Sequence, residues 1–143
     1  IVDAVLASNI DDIYDMKIRA NKLNEWLKKE GLTEILTAFN RVANLAEKAV
    51  SDEVQRDLLS EDEFDLFEAF NNIEEKIDNF ISKKEYDKAL DNLVTLKDPI
   101  DNFFDKVMVM VEDEKIRNNR LGLIRKIYNM MIRICDLSKI VNK

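Results

Sequence analysis

The sequence predicts an all-α fold, a single-domain helical bundle of about six to eight helices. Apolar residues recur every three or four positions along the chain, and no run of four to eight residues alternates as a half-buried strand does. Two glycines and one proline among 143 residues are too few for a chain of tight turns, while helix interiors want neither. With 46% hydrophobic and 36% charged residues, the composition is that of a domain able to close its own core. At this length about 70% of the unfolded surface can be buried.

The elements follow in order. A short helix over residues 2–7 leads into a longer one over residues 12–29, with Met16, Ala20, Leu23 and Leu27 as its buried stripe and Trp26 at the edge. Gly31 ends that helix as a left-handed cap. Thr33 starts a helix to Ala49 that carries Ile35, Ala38, Val42, Leu45 and Ala49 on one side. Ser60 and Glu63 read as a capping box opening a helix to Ser82. Its stripe of Phe64, Phe67, Phe70, Ile73, Ile77 and Phe80 is core packing. Another helix covers Tyr86 to Leu96. Asp98 and Pro99 then read as an N-cap followed by proline at the first helical position of a helix to Met108. Asp113 caps the last long helix, Glu114 to Ile134, and a short turn reaches Val141. Residues 51–63 form an acidic loop, the best candidate for a mobile connection. One domain over residues 1–143 is the economical division.

Absences exclude whole classes of chemistry. Without histidine there is no Ser-His or Cys-His machinery and little basis for a zinc site. Cys135, among Ile132, Ile134 and Leu137, reads as a small buried hydrophobe, and one unpaired cysteine fits a reducing cytoplasm. No stretch approaches a membrane span. The sequence opens on Ile1 instead of Met, as expected of a piece of a longer chain. Carboxylates at Glu61, Asp62, Glu63 and Asp65, and at Glu112, Asp113 and Glu114, sit at helix N-termini, where the dipole favours them, so capping accounts for them and no catalytic or metal site is assigned. Gly31 and Gly122 stand too far apart for a phosphate-cradling loop.

The net charge of −7 conceals an uneven distribution. Residues 51–99 carry six bases against fifteen acids, and residues 100–143 carry nine against six. Lys115 to Cys135 holds six bases and no acid. At 100° per residue, Ile116, Leu123, Ile127, Met130, Met131 and Ile134 form the apolar stripe of the last long helix. Lys115, Asn118, Asn119, Gly122, Arg125, Lys126, Asn129 and Arg133 lie opposite. Such a face offers positive charge to phosphates and amides to bases, with Gly122 leaving room for close approach. Periodicity equally allows a solvated surface, or a face that docks on the acidic segment. Arg120 lies inside the apolar stripe and needs a carboxylate, for which Asp105 or Asp101 on the preceding helix are the natural partners, a structural ion pair being favoured over an RNA contact. On the Thr33 helix, Thr37, Asn40, Arg41, Asn44 and Lys48 make a second acid-free face, which as a bare pattern is equally a wet helix surface. Trp26, Tyr14 and Tyr128 are the aromatic rings on which unpaired bases can stack, Trp26 fitting a core position better.

Several segments resemble a known family. Pro99-Ile-Asp-Asn-Phe-Phe-Asp-Lys-Val-Met-Val-Met-Val-Glu-Asp113, Arg117-Asn-Asn-Arg-Leu121 and Cys135-Asp-Leu-Ser-Lys139 are similar to the C-terminal anticodon-binding domain of bacterial glycyl-tRNA synthetase β chains, a DALR-type domain shared with arginyl-tRNA synthetase. Phe39-Asn-Arg-Val-Ala-Asn-Leu45 resembles that family's Lys-Arg-Val-x-Asn-Ile stretch, and Ile1 to Leu6 its Asp-Val-Ala/Leu-rich lead-in. The Asp-Ala-Leu-Arg string itself is not present, and Asn40 stands where the family often has lysine. The resemblance implies a bundle that holds the anticodon arm of glycine tRNA within an α2β2 synthetase, the α chains containing the class II aminoacylation site. Arg41, Asn44, Arg117 and Arg120 match its motifs. ATP and magnesium are implied only for the parent enzyme's catalytic site, with no cofactor in this domain.

The combined expectation is a noncatalytic, cytoplasmic RNA-binding domain that clasps an anticodon loop between two helices. Its contacts are Asn40, Arg41, Asn44 and Lys48 on one, and Asn118, Asn119, Arg125, Lys126, Asn129 and Arg133 on the other. The rival expectation is a protein docking module of the synthetase, its basic helix meeting an acidic partner.

Overall fold

A computed structural model of the chain describes residues 13–28 and 31–139. The expected helix over residues 2–7 and the lead-in motif lie outside the described residues. Among those residues the chain is all helix and loop, with six α-helices at the low end of the expected number: α1 (Ile13–Trp26), α2 (Leu32–Ala46), α3 (Glu61–Ser82), α4 (Tyr86–Leu93), α5 (Lys97–Lys106) and α6 (Glu114–Ile132). Three 3-10 turns at Arg56–Leu58, Val94–Leu96 and Leu137–Lys139 join or end them.

Local chemistry sets most of the boundaries. Ser60 Oγ accepts from the Glu63 amide while Glu63 Oε2 accepts from the Ser60 amide, the reciprocal box expected at the start of α3. Asp113 Oδ1 accepts from the amides of Lys115 and Ile116 and so starts α6. Gly31 is left-handed, at φ 77°, immediately before α2. At the other end of α3 a motif with no glycine closes the helix. The Glu85 amide donates to the Phe80 carbonyl at 2.8 Å and the Lys84 amide to Ile81 at 3.0 Å, with Lys84 left-handed at φ 59°.

One boundary differs from expectation. Asp98 is not the N-cap of α5. Helical backbone runs from Leu93 through the 3-10 turn into Lys97, so Pro99 occupies the third helical position. The absent amide proton costs little there, because an N–H in the first turn of α5 has no acceptor within that helix. Helix α5 stops at Lys106, two residues short of the expected end, because Val107 turns extended.

Helix α3 packs on α4, α5 and α6, while α2 packs on α5, α6 and the last turn. Leu36, Phe39, Val42 and Ala46 of α2 meet Leu123, Ile127 and Met131 of α6 and Leu66, Phe70 and Ile77 of α3 in one buried cluster. Trp26 is 2% exposed, a core residue and not the edge residue its spacing suggested. Cys135 is buried as expected, and burial pushes its thiol up to about 12. Helix α6 departs most from the one-sided pattern. Leu121 and Ile124 join the expected stripe in the core, so the helix is covered over more than its apolar face. Arg19 of α1 clamps its far end, donating to the carbonyls of Arg133 and Ile134 at 2.6 and 3.1 Å.

Candidate nucleic-acid interface

Helices α2 and α6 lie side by side, as the two acid-free faces require, and they are joined where Arg125 Nη1 donates to the Ala46 carbonyl at 3.4 Å. On α2, Arg41 and Asn44 are exposed and Asn40 is half-buried; Lys48, in the turn just past the end of the helix, is exposed as well. The Arg41 guanidinium stacks 4.2 Å above the Phe104 ring, which fixes a cation at the α5 edge of α2. Lys48 follows two residues after the Ala46 carbonyl that Arg125 engages. Its ammonium makes no ion pair among the described residues.

The α6 face is different, because the chain crosses it. Residues 49–55 run over the middle of α6 as a strap. Asn119, 5% exposed, holds the strap with both halves of its amide: the Gln55 amide donates to Asn119 Oδ1 at 2.6 Å, and Asn119 Nδ2 donates to the Gln55 carbonyl at 3.1 Å. At Gly122 the strap comes so near that a Cβ there would stand 2.2 Å from the Glu53 carbonyl oxygen. The space expected for a ligand at Gly122 is therefore filled by the chain's own backbone. Farther along, Asn129 Nδ2 donates to Asp52 Oδ2 at 3.4 Å, and Arg133 is ion-paired with Asp78 of α3. The acidic segment docks in part on the basic helix, the alternative that periodicity left open.

The strap divides the face into hollows. Beyond it, Arg125 and Asn129 line an open cleft of about 370 Å³ with Ala49, Val50, Ser51 and Asp52. Arg125 and Asn129 of the α6 face stand on its wall, and Arg125 also reaches the Ala46 carbonyl at the end of α2. The Arg125 guanidinium lies 5.1 Å from the Tyr128 ring centroid, presenting a cation on an aromatic face. Burial and the Asp136 carboxylate push the Tyr128 phenol up, Arg125 acting in the opposite direction. Lys126 lines a neighbouring hollow with Asp52, Glu74, Asn129 and Arg133. On the near side, Asn118 and Asn119 line a smaller depression with Lys115 and the strap.

Two matched arginines and one expected contact amide are thus structural in their contacts. Arg120 is paired not with Asp101 or Asp105 but with Glu63, Nε to Oε1 at 3.0 Å, and also donates to the Met108 carbonyl. The Glu63 carboxylate, 1% exposed, serves the α3 cap with one oxygen and Arg120 with the other. Arg117 donates to the carbonyls of Val111 and Glu112 and fixes the loop between α5 and α6. Asn119 is spent on the strap. Sequence reasoning missed Val50, Ser51 and Gln55, whose positions depend on the strap's path. Gly122 carried that signal, since a glycine inside a helix marks a close approach of something.

Among the described residues no three ionisable side chains cluster to hold a metal, and no helix is long and apolar enough to cross a membrane. A family model described as the DALR anticodon binding domain matches residues 35–140. The glycine–tRNA ligase beta subunit of Clostridioides difficile (strain 630) is 51% identical over 144 residues, covering 100% of this chain and 21% of that protein. The glycine–tRNA ligase beta subunits of Desulforamulus reducens and Syntrophomonas wolfei are 38% and 39% identical, over 98% and 99% of this chain. The chain spans about a fifth of the length of these curated relatives.

Proposed function

The chain belongs to the DALR anticodon-binding domain family, and from that premise we propose that it holds the anticodon arm of a glycine tRNA for a glycine–tRNA ligase. The observation that carries this is the joining of α6 to the end of α2 by Arg125, which with Asn129 lines an open cleft, while Asn40, Arg41, Asn44 and, just past the helix, Lys48 reach the surface on the α2 side. Lysine and arginine there neutralise loop phosphates, while the asparagine amides offer a donor and an acceptor to splayed bases. Arg133, Lys126 and Asn119 contribute less in this reading, because acids or the strap already engage or flank them. Affinity is weak and its salt dependence modest, roughly 0.7 per phosphate neutralised, since the net charge opposes RNA and few cations remain free.

The domain is noncatalytic in this proposal. Aminoacylation, with its ATP and magnesium, takes place elsewhere in an α2β2 cytoplasmic enzyme, where this domain also meets the rest of the β chain. Titrating the chain with glycine tRNA transcripts carrying intact and altered anticodons tests the reading. The intact anticodon binds more tightly; equal affinities contradict recognition.

A docking role within the synthetase is the second reading. It is favoured by the loop between α5 and α6, where Met108 is 73% exposed and Met110 48%. Charge reversal at Arg125 and Lys126 separates the two: loss of tRNA binding with assembly intact supports the first, and loss of subunit association the second.

A further inference from the structure

We propose that the hollow between the strap and the first turns of α6 is a subsite for one unpaired nucleobase. This rests on the RNA-binding reading above and adds a place where a base, not a phosphate, is held. The hollow is about 260 Å³ and is lined by Ser51, Glu53, Gln55, Leu58, Lys115, Asn118 and Asn119. That is slightly under the roughly 300 to 1,000 Å³ of sites that take drug-sized ligands, so it suits one flat ring without its sugar.

Its chemistry suits a base better than a phosphate. Glu53 and Lys115 contribute one charge of each sign, leaving no net attraction for an anion. The Asn118 side chain is half-buried, and neither it nor the Gln55 side chain has a hydrogen-bond partner within the described residues. Each supplies two donors and an acceptor, the complement that base edges require. Leu58 gives the hollow an apolar surface for a ring. The walls are preorganised, because Asn119 grips both backbone groups of Gln55 and the strap rests on Gly122.

The test uses an RNA hairpin bearing a glycine anticodon loop, made intact and with an abasic residue at each loop position in turn. It is titrated against the native chain, Asn118→Ala and Gln55→Ala, the last of which leaves the backbone clasp in place. Asn118→Ala is expected to weaken the intact hairpin roughly five- to a hundredfold. One abasic position should cost the native chain affinity and cost Asn118→Ala nothing further. If Asn118→Ala does not fold, Gln55→Ala carries the same comparison. Unchanged abasic penalties in a variant, with the intact hairpin still bound, overturn the subsite alone. Failure of the native chain to bind any hairpin overturns both this subsite and the proposed function.

Discussion

Arg120 and Glu63 stand 57 residues apart in sequence, yet Arg120 Nε donates to Glu63 Oε1 at 3.0 Å, with Glu63 only 1% exposed. The same carboxylate closes the capping box of α3, so one buried charge ties the start of α3 to α6 and, through the Met108 carbonyl, to the loop before α6.

Breaking that pair leaves a buried charge without its partner. Arg120→Ala is expected to lose about 3 kcal/mol of stability, and Glu63→Ala a similar amount, because the cap goes with the pair. The double variant should lose clearly less than the sum of the two. Urea denaturation of all three checks this; simple additivity would show that the residues act independently.

Gly122→Ala places a methyl group where the Glu53 carbonyl oxygen now stands. The strap has to lift, at a cost of roughly 1–3 kcal/mol. Proteolysis or hydrogen exchange within residues 50–55 should accelerate while α3 stays protected. A variant as stable as the native chain would mean that the strap does not lie on α6.

Lys84 holds a left-handed conformation that glycine adopts without penalty. Lys84→Gly is expected to stabilise the chain by up to about 1 kcal/mol by relieving that conformation. Thermal unfolding should show a higher midpoint, and a lower one would contradict the account of this helix end.

Which of these features can be read from sequence depends on distance along the chain. Ser60 with Glu63, and Asp113 with its two amides, are local motifs within three or four residues, and both were legible. The Arg120 guanidinium plainly needed a carboxylate, but the preceding helix offered Asp101 and Asp105 while Glu63, 57 residues away, is the one near in space. The two acid-free faces were legible as well, and the structure does place their helices together. The strap was not. An acidic loop carries no periodicity to fix its path, and Gly122 marks a close approach without naming what approaches. Lys84 escaped because the left-handed position after α3 is filled by a residue that gives no signal of it.

Cys135 links stability to alkaline pH. Burial raises its thiol from the ordinary 9.0 to about 12. Below pH 9 both folded and unfolded forms keep the proton and the thiol adds no slope. Between 9 and 12 only the unfolded chain ionises, so stability falls, by up to about 1.4 kcal/mol per pH unit from this group. Denaturation at about pH 8 and about pH 10.5 should show a steeper loss for the native chain than for Cys135→Ala. Parallel losses would contradict the shift. The native thiol should also resist alkylation until the chain unfolds.

The most direct measurement is hairpin binding, at fixed salt, by the native chain, by a Lys48→Glu/Arg125→Glu double variant, and by Lys88→Glu. Lys88 lies on α4, on neither helix of the cleft, and is already ion-paired with Glu85. The cleft requires that the double variant lose at least about tenfold in affinity, with a shallower salt dependence, while Lys88→Glu binds nearly as the native chain does. Equal losses for the double variant and Lys88→Glu would mean that overall charge, and not the meeting of α2 and α6, holds the RNA.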